Sequence, residues 1–193
     1  MNAHQFFKLF AISTWALLLS TTLISCTGNE LHVAHDIDNR ELVAKAQTLP
    51  AEGILKIEYT DESRTFIYLK VDERFITDLE PLLRGSGITP DRNQIGAHIT
   101  VFTDKEAAHL TGEISELGDT FDFRVYGVDR VKVKKVINPY TQKSEVQEDF
   151  IITVDSPKLK ALRKKYGFSA FPYGSEPFHI TIGRRFLPEA ASK

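Results

Sequence analysis

Two periodicities alternate along the chain. Over 53–59, apolar Ile54, Ile57 and Tyr59 interleave with Lys56 and Glu58, and 65–71 is dense in β-formers. With Asp61, Glu62 and Ser63 between them, the two runs predict a hairpin. Residues 72–84 change period: Phe75, Ile76, Leu79, Leu82 and Leu83 share one helical face, which Pro81 should end or kink. Gly85, Ser86 and Gly87 break the chain. A short strand over 96–102 leads into a capped helix expected over 104–117, ending near Gly118. Strands follow at 121–128 and 130–137, then a turn at Asn138, Pro139 and Tyr140, then a strand at 146–154. Ser156 and Pro157 open a helix that runs through Lys165 and stops at Gly167. A last strand spans 177–185, ahead of a frayed tail at 188–193. This irregular alternation predicts an α/β (α+β) domain over 51–187, with antiparallel or mixed sheets.

The first 50 residues follow another pattern. No acidic residue precedes Glu30, and Lys8 with the α-amino group leads into an apolar stretch over 9–23 diluted only by Ser and Thr. That charge-then-hydrophobe order belongs to a secretory signal, and the stretch is short for a full membrane span. Leu23, Ile24, Ser25 and Cys26 resemble the bacterial lipobox, in which a small residue precedes the cysteine that receives a diacylglyceryl group. The resemblance implies a signal peptide over 1–25, a lipid on Cys26 and a place in the bacterial cell envelope, on the periplasmic or outer-membrane face. Thr27 in place of Asp after the cysteine favours the outer membrane if the host is a Gram-negative enterobacterium. An uncleaved anchor helix and an ordinary cleaved signal are the alternatives. Residues 26–50 are polar and acidic and read as a tether, with a short helix over 39–47 capped by Asp38.

Composition narrows the chemistry. A chain of 193 residues, 42% hydrophobic, builds one real core without needing a disulfide or a structural metal. Its single Cys excludes intrachain disulfides, Cys-rich zinc sites and iron–sulfur ligation. A formal charge of −2 and a pI near 6.3 argue against gripping nucleic acid by blanket charge. No GxGxxG or Walker-type loop appears, and His32, His35 and His109 form no ligand pattern, so neither cofactor nor metal is expected.

Two strands carry the distinctive chemistry. One contains His98, Ile99, Thr100 and Val101; the other contains His179, Ile180, Thr181 and Ile182. Side chains alternate faces on a strand, so each His projects with its Thr while the aliphatic residues face a core. A lone strand histidine is usually a structural residue. Two copies in near-identical contexts, about eighty residues apart, point instead to a paired device.

These paired His-x-Thr motifs resemble those of the two-histidine (2H) phosphoesterase superfamily, which contains the 2′–5′ RNA ligase-like cyclic phosphodiesterases. With a lipoprotein-type leader and a single domain, the chain is most similar to the Swiss Army Knife type. The resemblance implies a two-lobed, pseudo-symmetric fold in which sheets line a central cleft, helices lie outside, and each lobe brings one motif to the cleft. It implies metal-independent hydrolysis of cyclic phosphodiesters, namely 2′,3′-cyclic nucleotides or RNA 2′,3′-cyclic phosphate ends. Chemically, one imidazole takes a proton from water and the other protonates the departing ribose oxygen, while the Thr100 and Thr181 hydroxyls hold non-bridging oxygens. Which His plays which part stays open at this point.

Arg184 occupies a position where the family's second motif often carries a phosphate-contacting base. Strict alternation would put it on the core side and Arg185 beside His179, unless a bulge at Gly183 intervenes. Phe171, Tyr173 and Phe178 precede the second motif as core residues or as a base-stacking wall; Tyr173 is the substrate-binding candidate. Lys132, Lys134 and Lys135, and likewise Arg163, Lys164 and Lys165, read as solvated faces, with an anionic-ligand rim as the alternative. The partners expected are a small phosphodiester and a membrane surface, with no stable protein partner. The alternative function is a non-catalytic nucleotide- or phosphate-binding envelope lipoprotein.

Overall fold

A computed structural model describes residues 39–59, 65–138 and 140–188. The expected signal peptide, Cys26 and the residues after Pro188 lie outside these. The chain order is α1 (Asn39–Ala46), β1 (Glu52–Tyr59), β2 (Thr65–Val71), α2 (Arg74–Thr77), α3 (Glu80–Arg84), β3 (Thr89–Pro90) and β4 (His98–Phe102). Then come α4 (Asp104–Ala107), β5 (Thr120–Asp122), β6 (Arg124–Ile137), β7 (Ser144–Asp155), α5 (Pro157–Lys165) and β8 (Phe178–Pro188).

The strands form one antiparallel sheet in the order β5-β1-β2-β4-β8-β7-β6, with β3 added beside β8. It is the α/β, antiparallel architecture expected, built as two halves, β5-β1-β2-β4 and β8-β7-β6. The halves are continuous with each other: β4 and β8 meet through the in-register pair Ile99 and Ile180. Both isoleucines are fully buried. Alternation sends Leu69, Ile99, Val101, Ile152, Phe178 and Ile180 to one face, where they pack with Leu42 of α1, Phe75 and Leu83 of α2 and α3, and Leu159 of α5. The opposite face carries both His-Thr pairs.

Several expectations change in the structure. The tether read over 26–50 does not extend through its last part, because α1 buries Leu42 and Ala46 and Leu49 follows them into the core. The 72–84 helix is two short ones, with Pro81 in the first turn of α3, where its missing N–H costs nothing. The helix expected over 104–117 stops at Ala107. Its capping box, Thr103 with Glu106, forms, but the chain leaves the helix at Ala108, and Gly112 further on takes φ +104°. The segment is then drawn onto β1, where Gly118 N donates to Leu55 O at 2.9 Å. The break expected between 128 and 130 falls at Phe123, so β5 serves the first half and β6 the second. The frayed tail is also corrected at its start: β8 runs through Pro188, paired with Glu145.

Arg163 overturns its reading as a solvated charge. It is fully buried, and every N–H of its guanidinium has an acceptor. Nε donates to Ser169 O at 2.8 Å, one terminal nitrogen to Val101 O and to Glu106 Oε2 at 2.9 Å, and the other to Glu106 Oε1 at 2.6 Å and Phe171 O at 2.9 Å. The same group lies over Phe102, 5.3 Å from the ring centroid. Burial pushes the Glu106 carboxyl up, but the Arg163 guanidinium and the Thr103 backbone N–H outweigh it and hold it below its ordinary 4.5.

Arg163→Met leaves that carboxylate and three carbonyls without their donor, so we expect a loss of about 3–5 kcal/mol in urea unfolding; a change under about 1 kcal/mol would show the cluster to be incidental. The sign for pH follows from the depressed carboxyl: the pair's contribution is complete above pH 4.5 and is lost as pH falls through the lower folded value. Arg163→Met should therefore flatten the acid limb of stability against pH.

Candidate active site

The register through Ile99 and Ile180 sets His98 opposite Thr181 and Thr100 opposite His179. Each imidazole thus stands beside the hydroxyl of the other strand, and the four side chains form one block at the seam of the two halves. All four are half-buried, while their neighbours Ile99, Val101, Phe178, Ile180 and Ile182 are buried.

Both rings are anchored in the same way. His98 Nδ1 lies 2.8 Å from Gly96 O, and His179 Nδ1 lies 3.2 Å from Pro177 O. A carbonyl oxygen only accepts, so each Nδ1 carries the hydrogen and each Nε2 is left for another partner. Local sequence makes the first anchor. Asn93 Oδ1 accepts from Ile95 N at 2.9 Å and Gly96 N at 2.7 Å, and Gly96 takes φ +74°. A Cβ at Gly96 would lie 2.1 Å from Glu73 Oε1 and 2.6 Å from Lys70 Nζ, so the glycine is needed for space as well as for its angle. Lys70 pairs across the sheet with His98 and is tied to Glu73 and, at 2.5 Å, to Ile95 O.

The surroundings differ between the two motifs. Phe66 and Tyr68 meet the His98 ring edge-on, with centroids 5.9 and 5.7 Å away. Tyr68 is opposite Thr100, and burial first, then Glu58, holds its phenol above the ordinary 10.0, so it stays a donor. Tyr173 stacks on His179 at 5.7 Å and 30°. Desolvation by burial holds the His179 imidazole below its ordinary 6.5, aided by His98, against the opposing pull of the Pro177 carbonyl, Glu176 and Asp149.

Arg184 reaches the motif face through a bulge. The β7–β8 register slips between Phe150 and Ile151, pairing Gly183 with Phe150 but Thr181 with Ile151. Ile182 is the extra residue, and Arg184 then pairs with Asp149 on the side of His179 and Thr181. Arg185 goes to the other face, where it bonds buried Glu148 at 2.9 Å and lies over Phe150. A terminal nitrogen of Arg184 donates to Asp91 Oδ1 at 2.6 Å, while its buried Nε has no partner among the described residues. Asp149, which the sequence reading did not single out, has its carboxyl raised chiefly by burial, against Gln147, Arg184 and His179. It shares the motif face with Ile151 and Thr153 by the alternation of β7, and the shift sets Arg184 opposite it; its neighbours come from the β7–β8 pairing, which no local signal marked.

Clefts flank the block. One of about 320 Å³ lies beside His179, lined by Thr153, Pro177, Tyr126, Asp129, Lys160 and Phe171 among others. Another of about 270 Å³ surrounds Arg184 with Asp91, Arg92, Tyr140 and Phe186. Of the aromatic candidates, Phe178 is core, Phe171 lines the first cleft and Tyr173 covers His179. Lys165 pairs with Glu116, Lys135 is exposed, and the side chains of Lys132 and Lys134 are not described. Among the described residues, no group of three or more His, Cys, Asp or Glu is arranged to hold a metal ion.

With this geometry in hand, comparison with known families is specific. The family model of the Swiss Army Knife, 2H phosphoesterase domain matches residues 67–186, from within β2 into the motif-bearing β8. The chain belongs to that family, whose enzymes hydrolyse phosphodiesters. Comparisons with curated proteins and with solved structures gave no match.

Gly183 is the residue on which the bulge turns. A Cβ there would lie 2.7 Å from Ile88 Cγ2 and 2.9 Å from Thr89 O, because β3 crosses at Pro90. Gly183→Ala should cost about 1–3 kcal/mol and lower the melting temperature. An unchanged Tm would mean that β3 gives way freely.

Proposed function

We propose that the chain hydrolyses cyclic phosphodiesters, 2′,3′-cyclic nucleotides or the 2′,3′-cyclic phosphate ends of RNA, with the two imidazoles as base and acid and no metal required. The observation that carries this reading is the matched Nδ1 anchoring of His98 and His179, which leaves both Nε2 atoms for proton transfer beside Thr100 and Thr181. In the reaction, His179 Nε2 takes a proton from water as its oxygen bonds to phosphorus. The opposite P–O bond to ribose breaks, and His98, entering as imidazolium, gives its Nε2 proton to the leaving oxygen. A phosphomonoester remains, and solvent resets the two protons.

What supports His179 as the base is its desolvated ring, which favours the neutral form near pH 7. The hydroxyls of Thr100 and Thr181 have no hydrogen-bond partner among the described residues and suit the non-bridging oxygens. The orphaned Nε of Arg184 favours a phosphate oxygen as its acceptor, since a buried N–H left unmade is costly. The charge-then-apolar leader ending at Ser25 and Cys26 supports tethering by a lipid on Cys26 at the bacterial envelope.

The test is turnover of the four 2′,3′-cyclic nucleotides by the full-length chain, purified in detergent and assayed in EDTA. His98→Ala and His179→Ala should each lower kcat by about 10²–10⁴-fold with unchanged melting. Saturable nucleotide binding without product would replace hydrolysis by the binding-protein reading. With His179 as base, the acid limb of kcat/KM falls below pH 6.5, since protonating it removes activity. An acid limb above 6.5 would count against the desolvated His179 as the base. Cys26→Ser should move the chain from the membrane fraction to the soluble one.

A further inference from the structure

The cleft beside His179 has a composition that the hydrolytic reaction does not call for. Thr153 is the register partner of His179, and Pro177 supplies the carbonyl that anchors its ring, so the cleft adjoins His179 without including it in its walls. Its walls include two aromatic rings. Phe171 is held by Arg163, which bonds its carbonyl, and by Lys160, 5.0 Å above its ring. Tyr126 is the residue displaced where the β6–β7 register slips between Val125 and Gly127, which leaves it 65% exposed at the mouth. Gly127, opposite Thr153, adds no side chain to the floor.

The charges in the cleft select among ligands. Asp155 is neutralised by its ion pair with Lys160. Asp129, half-buried and opposite Ile151, has no ion pair or hydrogen bond among the described residues. The cleft therefore carries an uncompensated carboxylate and repels a second phosphate. It favours a flat, neutral group that presents N–H donors. β6 lies two strands from β8, about 10 Å away, a span that a nucleoside covers from its phosphate to the far edge of its base.

Resting on the hydrolytic reading above, we infer that this cleft is a nucleobase subsite and that Asp129 makes it selective for guanine. Guanine alone among the four RNA bases offers two adjacent N–H donors, N1–H and N2–H, to the two oxygens of a carboxylate. Adenine and cytosine place a ring-nitrogen lone pair beside their amino group, and uracil flanks its N–H with carbonyls; each would set a lone pair against Asp129. Tyr126 and Phe171 supply the stacking surface.

The test compares the full-length chain with Asp129→Asn and Tyr126→Ala, measuring kcat/KM for the four 2′,3′-cyclic nucleotides and calorimetric affinity for the four nucleoside 3′-monophosphates. The guanosine substrate should lead the others by about tenfold or more. Asp129→Asn should shrink the guanosine-to-cytidine ratio by about tenfold, because the amide cannot accept both donors. Tyr126→Ala should weaken all four. A merely structural Asp129 would lower every substrate equally and keep the ratio, which overturns the inference while leaving hydrolysis standing. Equal turnover of the four by the parent overturns it as well. If no cyclic nucleotide is hydrolysed, the hydrolytic reading fails and affinity alone decides. Tighter guanosine monophosphate binding that is lost in Asp129→Asn sustains the subsite, and equal or absent binding removes it.

Discussion

The two halves of this sheet are joined by little backbone, and the buried guanidinium of Arg163 bears much of the connection. A charge in that position is costly unless every donor is met, and here the acceptors come from three separate segments: β4 at Val101, the short helix α4 at Glu106, and the 169–171 loop. Satisfying one side chain thus fixes how the first motif strand, the helix of the second half and the loop leading to the second motif sit together. Phe171 and, two residues on, Tyr173 leave this clamp for the neighbourhood of His179. The strictness of the requirement is what positions them, because a partly satisfied guanidinium would be worse than an apolar core.

Within that frame, each motif is locally self-sufficient. Its histidine is anchored by a carbonyl two residues earlier on the same chain, so the ring orientation does not depend on the other half. What the other half contributes is the neighbouring hydroxyl. A single slip of register between β4 and β8 would send one His-Thr pair to the helix side, which is why the buried Ile99 and Ile180 matter for chemistry as well as packing. The two imidazoles share an anchor but not an environment: aromatic edges surround one, and burial against Tyr173 desolvates the other. A pseudo-symmetric pair becomes chemically distinct in this way.

The flanking clefts extend the same asymmetry in charge. Arg184 and Arg92, ion-paired with Asp91 and Glu80, line the cleft on one side of the block, and Asp129 lines the other. Backbone irregularities in β6 and β8 create both sides, one by expelling Tyr126 and the other by rotating Arg184 onto the motif face.

Much of this was readable in the sequence, for a definite reason. The period-two alternation around His98 and His179 is local, so it fixed which residues share a face, and the near-repeat of the motif identified the family. The Gly183 position also announced the possibility of a bulge, since a glycine inside a strand signals close approach of backbone. Other features have no local signature. Arg163 looked like a surface charge because nothing nearby in sequence reveals that Glu106 and three carbonyls will surround it. The expected helix after Asp104 had its cap, but it is one turn long, and the segment after it is bonded to β1 instead. Asp149, Asp91 and Asp129 gain meaning only from strands distant in the chain. Local pattern determined which side chains share the face of the two His-Thr pairs; long-range register, which depends on which strands become neighbours, decided which charges lie beside them.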